Sequence, residues 1–229
     1  MLNTLAKLTA VAVLAVGLAA CDNKDDTKPA VPPPDTKPTV TQPAPPPPPA
    51  PVETPPAPPG LNVSLQKGKI TFELPPGFSD QTLNSGIIND STSTIQRFLD
   101  GKSRQSAVSS EVIPPDGMKL NTSDKMLKEL TQSAITVLAE RYQNIQTTKE
   151  ENFSVGKQKF RRVDTEQTVN GQKVVSTLVL TVFNKRVVTL QMLSPAKTPE
   201  VHQALVQRII DTLAVKLGRR SQDEAEETG

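Results

Sequence analysis

Between residues 68 and 217 the apolar side chains change their spacing several times, and each change predicts a new element. Residues 69–74 alternate, with Ile70, Phe72 and Leu74 on one face, and Pro75-Pro76-Gly77 stops the run, as expected of an edge or opening strand. Residues 93–99 and 106–113 flank Asp100-Gly101, which predicts a hairpin with its left-handed backbone positions on that pair. From Asn121 the spacing lengthens to three and four. Leu127, Leu130, Ala134, Val137, Leu138 and Tyr142 make one helical stripe, opened by the N-capping oxygens of Asn121-Thr122-Ser123-Asp124. Residues 160–169, 173–183 and 186–193 are separated by Asn170-Gly171 and Asn184-Lys185, the pattern of a three-stranded meander that Pro195 ends. A last helix starts at Thr198-Pro199-Glu200 with a threonine cap. It carries Val201, Leu205, Val206, Ile209, Ile210, Leu213 and Leu217 on one side, with Gly218 at the C-cap. Strand pairs, a helix, a meander and a helix describe an α+β domain with an antiparallel sheet flanked by helices.

Ahead of this domain the pattern is of another kind. Lys7 precedes an apolar run over residues 8–20, 13 residues long. That is shorter than the roughly 20 a membrane-spanning helix needs, and it predicts a signal peptide over residues 1–20. The run ends in Leu18-Ala19-Ala20-Cys21, which resembles a bacterial lipobox. Small residues there open the Ala20–Cys21 bond to a peptidase, and Cys21 becomes the lipid attachment site. A diacylglycerol and an N-acyl chain on Cys21 would form a stable membrane anchor, since one acyl chain alone holds only marginally. Asp22 and Asn23 look like the pair that retains a lipoprotein in the inner membrane of enterobacteria-like cells. They point to the periplasmic face of that membrane, with the inner leaflet of the outer membrane as the alternative.

Composition then divides the chain. Of 22 prolines, 16 fall between Pro29 and Pro59. Proline lacks an amide donor and fixes φ, so residues 21–60 predict an acylated N-terminus followed by a polyproline II spacer. At about 3.1 Å per residue, the stretch from 29 to 60 could reach on the order of 100 Å. A docking strip for a partner that reads proline helices is the other reading of the same segment. Residues 61–217 remain as one α+β domain, and residues 218–229 as a charged, disordered tail.

The inventory of chemistry is short. One Cys and one His exclude an internal disulfide and a Cys/His zinc cage, and no calcium-loop pattern occurs, so neither a metal nor any cofactor beyond the acyl chains is expected. His202 reads as a boundary residue of a surface helix, with no nucleophile marked beside it. Glu150-Glu151 sits in a polar segment, and Asp164, Glu166 and Arg162 share one strand face as exposed cross-strand partners. No catalytic residue emerges, and the expectation is a protein that is not an enzyme. The run Lys157, Lys159, Arg161 and Arg162 is the candidate for lipid or partner contact, with alternation sending Arg162 to the opposite face from the other three. A solvated strand face is the plainer reading, and nucleic acid is not an expected partner. Residues 61–217 hold 20 Lys and Arg against 15 Asp and Glu, so the domain is basic.

Several stretches together resemble the DcrB family of bacterial envelope lipoproteins. They are Leu18-Ala-Ala-Cys-Asp22, Gly68-Lys69-x-x-Phe72-x-Leu74-Pro75 with Ser79-Asp80-Gln81, Val188-Thr-Leu-Gln-Met192, and Ile209-Ile210-x-Thr212-Leu213. The resemblance implies a Mog/PsbP-like fold and a part in envelope maintenance and in phage uptake, and it brings no catalytic motif. The proline-rich spacer and the acidic tail depart from that pattern. Three functions stay open at this point. The first is a non-enzymatic binding or scaffolding domain that works with an envelope protein. The second is a ligand-binding or enzymatic domain with a pocket between sheet and helix. The third is a docking factor that works through its prolines.

Overall fold

Residues 59–115 and 117–217 are described by the computed structural model. The expected signal peptide, the Cys21 anchor, the spacer as far as residue 58, Gly218 and the tail lie outside the described residues. Ten strands and two long helices follow one another: β1 (Leu61–Leu65), β2 (Ile70–Leu74), β3 (Ser79–Asp80), β4 (Ser93–Asp100), β5 (Gln105–Val112), α1 (Asp124–Arg141), β6 (Gln143–Val155), β7 (Gln158–Val169), β8 (Gln172–Phe183), β9 (Arg186–Pro195), α2 (Pro199–Thr212) and β10 (Ala214–Val215). Seven strands form an antiparallel sheet in the order β3-β4-β5-β9-β8-β7-β6, and β1-β2-β10 form a second, smaller one. The α+β class and the antiparallel sheet with flanking helices are as the pattern predicts.

Register decides which side chains share a face, because residues directly opposite in neighbouring strands point the same way. Ile95, Ser110, Thr189, Leu180 and Arg161 form one such row, on the side that α1 covers. Phe98, Ala107, Met192, Thr177 and Asp164 form another, on the side of α2 and the small sheet. Each face has its own core. Under α1, Leu127 and Leu130 pack on Leu180, Val182 and Val187, while Leu138 and Tyr142 pack on Val169 and Val174. On the other face Ile70, Phe72 and Leu74 of β2 and Leu205, Val206 and Ile209 of α2 close over Phe160, Val179, Leu190 and Met192. Each fully buried aliphatic or aromatic side chain of this kind contributes about 1.5–3 kcal/mol.

Several elements differ from expectation for identifiable reasons. β2 is the centre of its sheet, not an edge, because β1 pairs on one side and β10 on the other. Its prolines follow the strand and therefore cost it no ladder bond. The β4–β5 hairpin forms, but its left-handed position is Arg104 (φ 57°), and the Asp100 carboxylate accepts from the amides of Lys102 and Ser103. The meander gains β6 as a fourth strand. Lying at the sheet edge it is mostly exposed, so its polar sequence shows little alternation. α1 is capped as expected, Ser123 Oγ accepting from the Met126 amide. At α2, Thr198 occupies the N-cap position without a side-chain bond; its carbonyl accepts from Val201 and His202 instead. The helix also stops at Thr212, so the expected stripe breaks. Residues 214 and 215 pair with β2, Lys216 N–H donates to the Lys69 carbonyl at 2.7 Å, and Leu217 is left 48% exposed.

Candidate functional site

The basic run does not form one surface. Lys157 lies exposed beside the Gly156 turn, and Lys159, also exposed, reaches Asp124 in the first turn of α1 at 3.1 Å. Arg161 and Arg162, by contrast, are 8% and 6% exposed. Alternation does send them to opposite faces, as expected, but both faces are covered there. Arg161 donates from Nε to Thr131 Oγ1 of α1 at 3.1 Å and from Nη1 to Asn152 Oδ1 at 2.9 Å, and Nη2 pairs with Glu150. Thus α1 and the edge strand β6 are tied through one guanidinium. Arg162 holds Asp164 with two parallel bonds, Nε to Oδ1 at 2.8 Å and Nη2 to Oδ2 at 2.7 Å, the planar fork-to-fork match that lysine cannot make. Asp164 is correspondingly buried where an exposed pair was expected, while Glu166 two residues on stays exposed.

From Asp164 a chain of hydrogen bonds runs beneath α2, and its donors can be ordered from their chemistry. Thr177 Oγ1 has one proton, which goes to the Asp164 carboxylate at 2.8 Å, a group that only accepts. The 3.0 Å contact between Thr177 Oγ1 and His202 Nε2 must then carry the imidazole's proton toward Thr177. A neutral ring protonated at Nε2 leaves Nδ1 as an acceptor, and Ser194 O–H donates to it at 2.7 Å. Ser194 Oγ in turn accepts from Gln105 Nε2 at 2.8 Å, and the same amide donates to the Val201 carbonyl of α2 at 3.2 Å. Every step points from the Gln105 amide to the Asp164 carboxylate. The ring is neutral because burial pushes the His202 imidazole from 6.5 down to about 4, against the opposing pull of Asp164.

His202 is therefore no boundary residue but a 2% exposed member of the core. Sequence reasoning missed it because its partners come from β5, β8 and β9, and only the register brings them together. The signal that could have found it is local: His202, Leu205, Val206 and Ile209 share one helical face. Chemically the arrangement does not read as a nucleophile. Ser194 and Thr177 are 1% and 0% exposed, and their protons are already directed to His202 and Asp164. The chain pins α2 to the sheet.

Between α2, β2 and the large sheet lies a small pocket lined by Leu65, Ile70, Phe72, Phe160, Leu190 and Ile209 among others, with no acid or base in its wall. A second, between the α1 C-terminus and the sheet, involves Arg104, Tyr142, Val174 and Ser194. Among the described residues no group of three or more His, Cys, Asp or Glu is placed to hold a metal ion, and no helix is long and apolar enough to cross a membrane.

Comparison with known proteins places this geometry in context. No protein-family model matches the chain. Among solved structures it is similar to the Ran-binding protein Mog1p of Saccharomyces cerevisiae, with 19% identity and a TM-score of 0.48, covering 68% of this chain and 95% of that one. It is also similar to the cyanobacterial PsbP protein CyanoP of Synechocystis, with 12% identity and a TM-score of 0.49, covering 69% and 93%. Among curated proteins it is 24% identical over 217 residues to the inner membrane lipoprotein DcrB of Shigella flexneri, covering 94% of this chain and 100% of that one. The resemblance to the DcrB family carried by its short motifs thus extends over nearly the whole chain.

Proposed function

We propose that the chain is a lipoprotein of the inner membrane facing the periplasm, whose α+β domain binds or scaffolds an envelope protein and catalyses no reaction. Signal cleavage falls between Ala20 and Cys21, the acyl chains sit on Cys21, and Asp22 and Asn23 keep the protein in the inner membrane. The observation that carries the reading is the end-to-end similarity to an inner membrane lipoprotein, joined to a chain whose one Cys occupies the lipobox position. Support for a non-catalytic domain comes from the interior, where the polar side chains beneath α2 bond one another and the pocket beside them is apolar. Mass measurement of the N-terminal peptide tests the anchor: a triacylated Cys21 is expected, and an unmodified mature N-terminus refutes it. Crosslinking in intact cells tests the scaffold, with capture of one defined envelope protein expected. Shortening residues 29–60 separates the readings of the spacer: loss that follows length alone argues for reach, and loss at constant length when prolines are replaced argues for docking or stiffness.

A further inference from the structure

Where the large sheet runs past the C-terminal end of α1, several hydrogen-bond donors have nothing to donate to. The pocket there is walled by Val169, Val174 and Leu193 and has Arg104, Ser106 and Tyr142 on its polar side. Register brings these residues together: Ser106 stands directly opposite Leu193, and Val174 opposite Gln167. Ser106 is 3% exposed, yet neither its hydroxyl nor that of Tyr142 has a hydrogen-bond partner among the described residues. Gln167 is also 3% exposed. Its Oε1 accepts from Thr165 Oγ1 at 3.2 Å, while its Nε2 is buried with no acceptor among the described residues. A buried donor without an acceptor is rare and costly in a folded interior.

Arg104 completes the set. It holds the left-handed position of the β4–β5 turn at φ 57°, where Gly would carry no steric cost, and no carboxylate pairs with it among the described residues. Asp100 of the same turn stands opposite Gln105, whose side chain bonds Ser194 beneath α2, so it faces the other side of the sheet. Lys102 on the turn and Arg141 in the last turn of α1 offset the charges of Asp100 and Glu140 beside them, which leaves the Arg104 guanidinium in excess. Burial raises the Tyr142 hydroxyl above its ordinary 10, against the pull of Arg141, so it keeps its proton to donate. The unspent capacity is thus that of donors: a guanidinium and two hydroxyls beside aliphatic walls, with a spare amide nitrogen next to them. Their complement is a group that only accepts and carries a short apolar body. A carboxylate fits, since it meets a planar guanidinium with two parallel bonds.

We propose that this pocket binds a carboxylate bearing a short aliphatic group, with Arg104, Ser106 and Tyr142 holding the anion and Val169, Val174 and Leu193 its apolar part. Two sources carry that chemistry: a free short-chain acid, and the C-terminus of a polypeptide that ends in an aliphatic residue. The site belongs to the folded domain alone, so the proposal stands apart from the Cys21 anchor.

Tyr142 is the one tyrosine of a chain without tryptophan, so intrinsic emission reports on this pocket. The full chain is titrated with isovalerate and with N-acetyl-alanyl-valine, and, as controls, with isoamyl alcohol and inorganic phosphate. Saturation transfer to the ligand methyl groups reads the same binding by NMR. A saturable response to a carboxylate is expected, with none to the alcohol or to phosphate. Whichever of the two carboxylates binds more tightly names the source, free acid or chain terminus. Arg104→Gly removes the guanidinium while suiting the left-handed backbone, so it should weaken binding at least about tenfold with no fall in the urea midpoint. Lys102→Ala should change neither. No saturable response to either carboxylate overturns the proposal, as does an equal response to the alcohol or to phosphate, or binding that Arg104→Gly leaves intact.

Discussion

Arg161 and Arg162 are neighbours in sequence, yet they face opposite sides of the sheet and satisfy their charges by different means. On the α1 side, Arg161 spends its donors on Thr131, Asn152 and a glutamate whose side chain is 45% exposed. Water can replace that last partner. On the α2 side, Arg162 is matched by Asp164, 13% exposed in its side chain, and beyond Asp164 comes an ordered run of donors through Thr177, His202 and Ser194. No solvent is at hand to repair a break there. One helix is thus held by a contact that tolerates loss, and the other by one that does not. Burial of the partners, more than the number of bonds, sets the difference.

The comparison breaks most directly at Asp164. Asp164→Ala leaves the Arg162 guanidinium buried with Glu151 and Gln203 at 3.4 and 3.5 Å as its remaining partners. A loss of about 3 kcal/mol is expected in urea unfolding, because the buried guanidinium keeps only one longer ion pair to a half-exposed carboxylate and Thr177 loses its acceptor. Next in size is acid. His202 has its folded-state value pushed down to about 4 from 6.5, so its contribution to stability is complete above pH 6.5 and is lost as pH falls from there through 4. The unfolded state binds the extra proton in that window, so stability rises with pH across it, by up to about 3 kcal/mol. Unfolding measured from pH 7 to 4 should show that slope, and His202→Gln should flatten it. On the α1 side the effects shrink. Thr131→Val removes the acceptor for Arg161 Nε and should cost about 1–2 kcal/mol. Glu150→Ala should cost no more than about 1 kcal/mol, and less in high salt. If Glu150→Ala proves as damaging as Asp164→Ala, the two sides do not differ as argued.

What could be read from the chain itself follows the same division. The apolar stripes of Leu127 to Leu138 and of Leu205 to Ile209, and the turns at Asn170-Gly171 and Asn184-Lys185, are local patterns and appear in the structure as predicted. β6 was hidden because an edge strand needs little alternation when most of its side chains face water. The shortening of α2 was hidden because Leu213 and Leu217 continue the helical stripe, although residues 214 and 215 serve the small sheet. One at a time, Arg162 and Asp164 read as exposed strand partners and His202 as a boundary residue, and nothing local marks Thr177 or Ser194. Their meaning depends on strand pairings and a helix crossing that no single stretch of sequence contains.

The direction of the hydrogen bonds beneath α2 has a spectroscopic consequence. A chain with one histidine gives one imidazole spin system, so its two ring nitrogens can be assigned without any mutant. A ring fixed with Nε2 as donor and Nδ1 as acceptor has widely separated nitrogen shifts, and an Nε2 proton shielded from water exchanges slowly enough to be observed directly. Because that proton persists only while α2 lies on the sheet, its signal is a built-in gauge of the helix's docking.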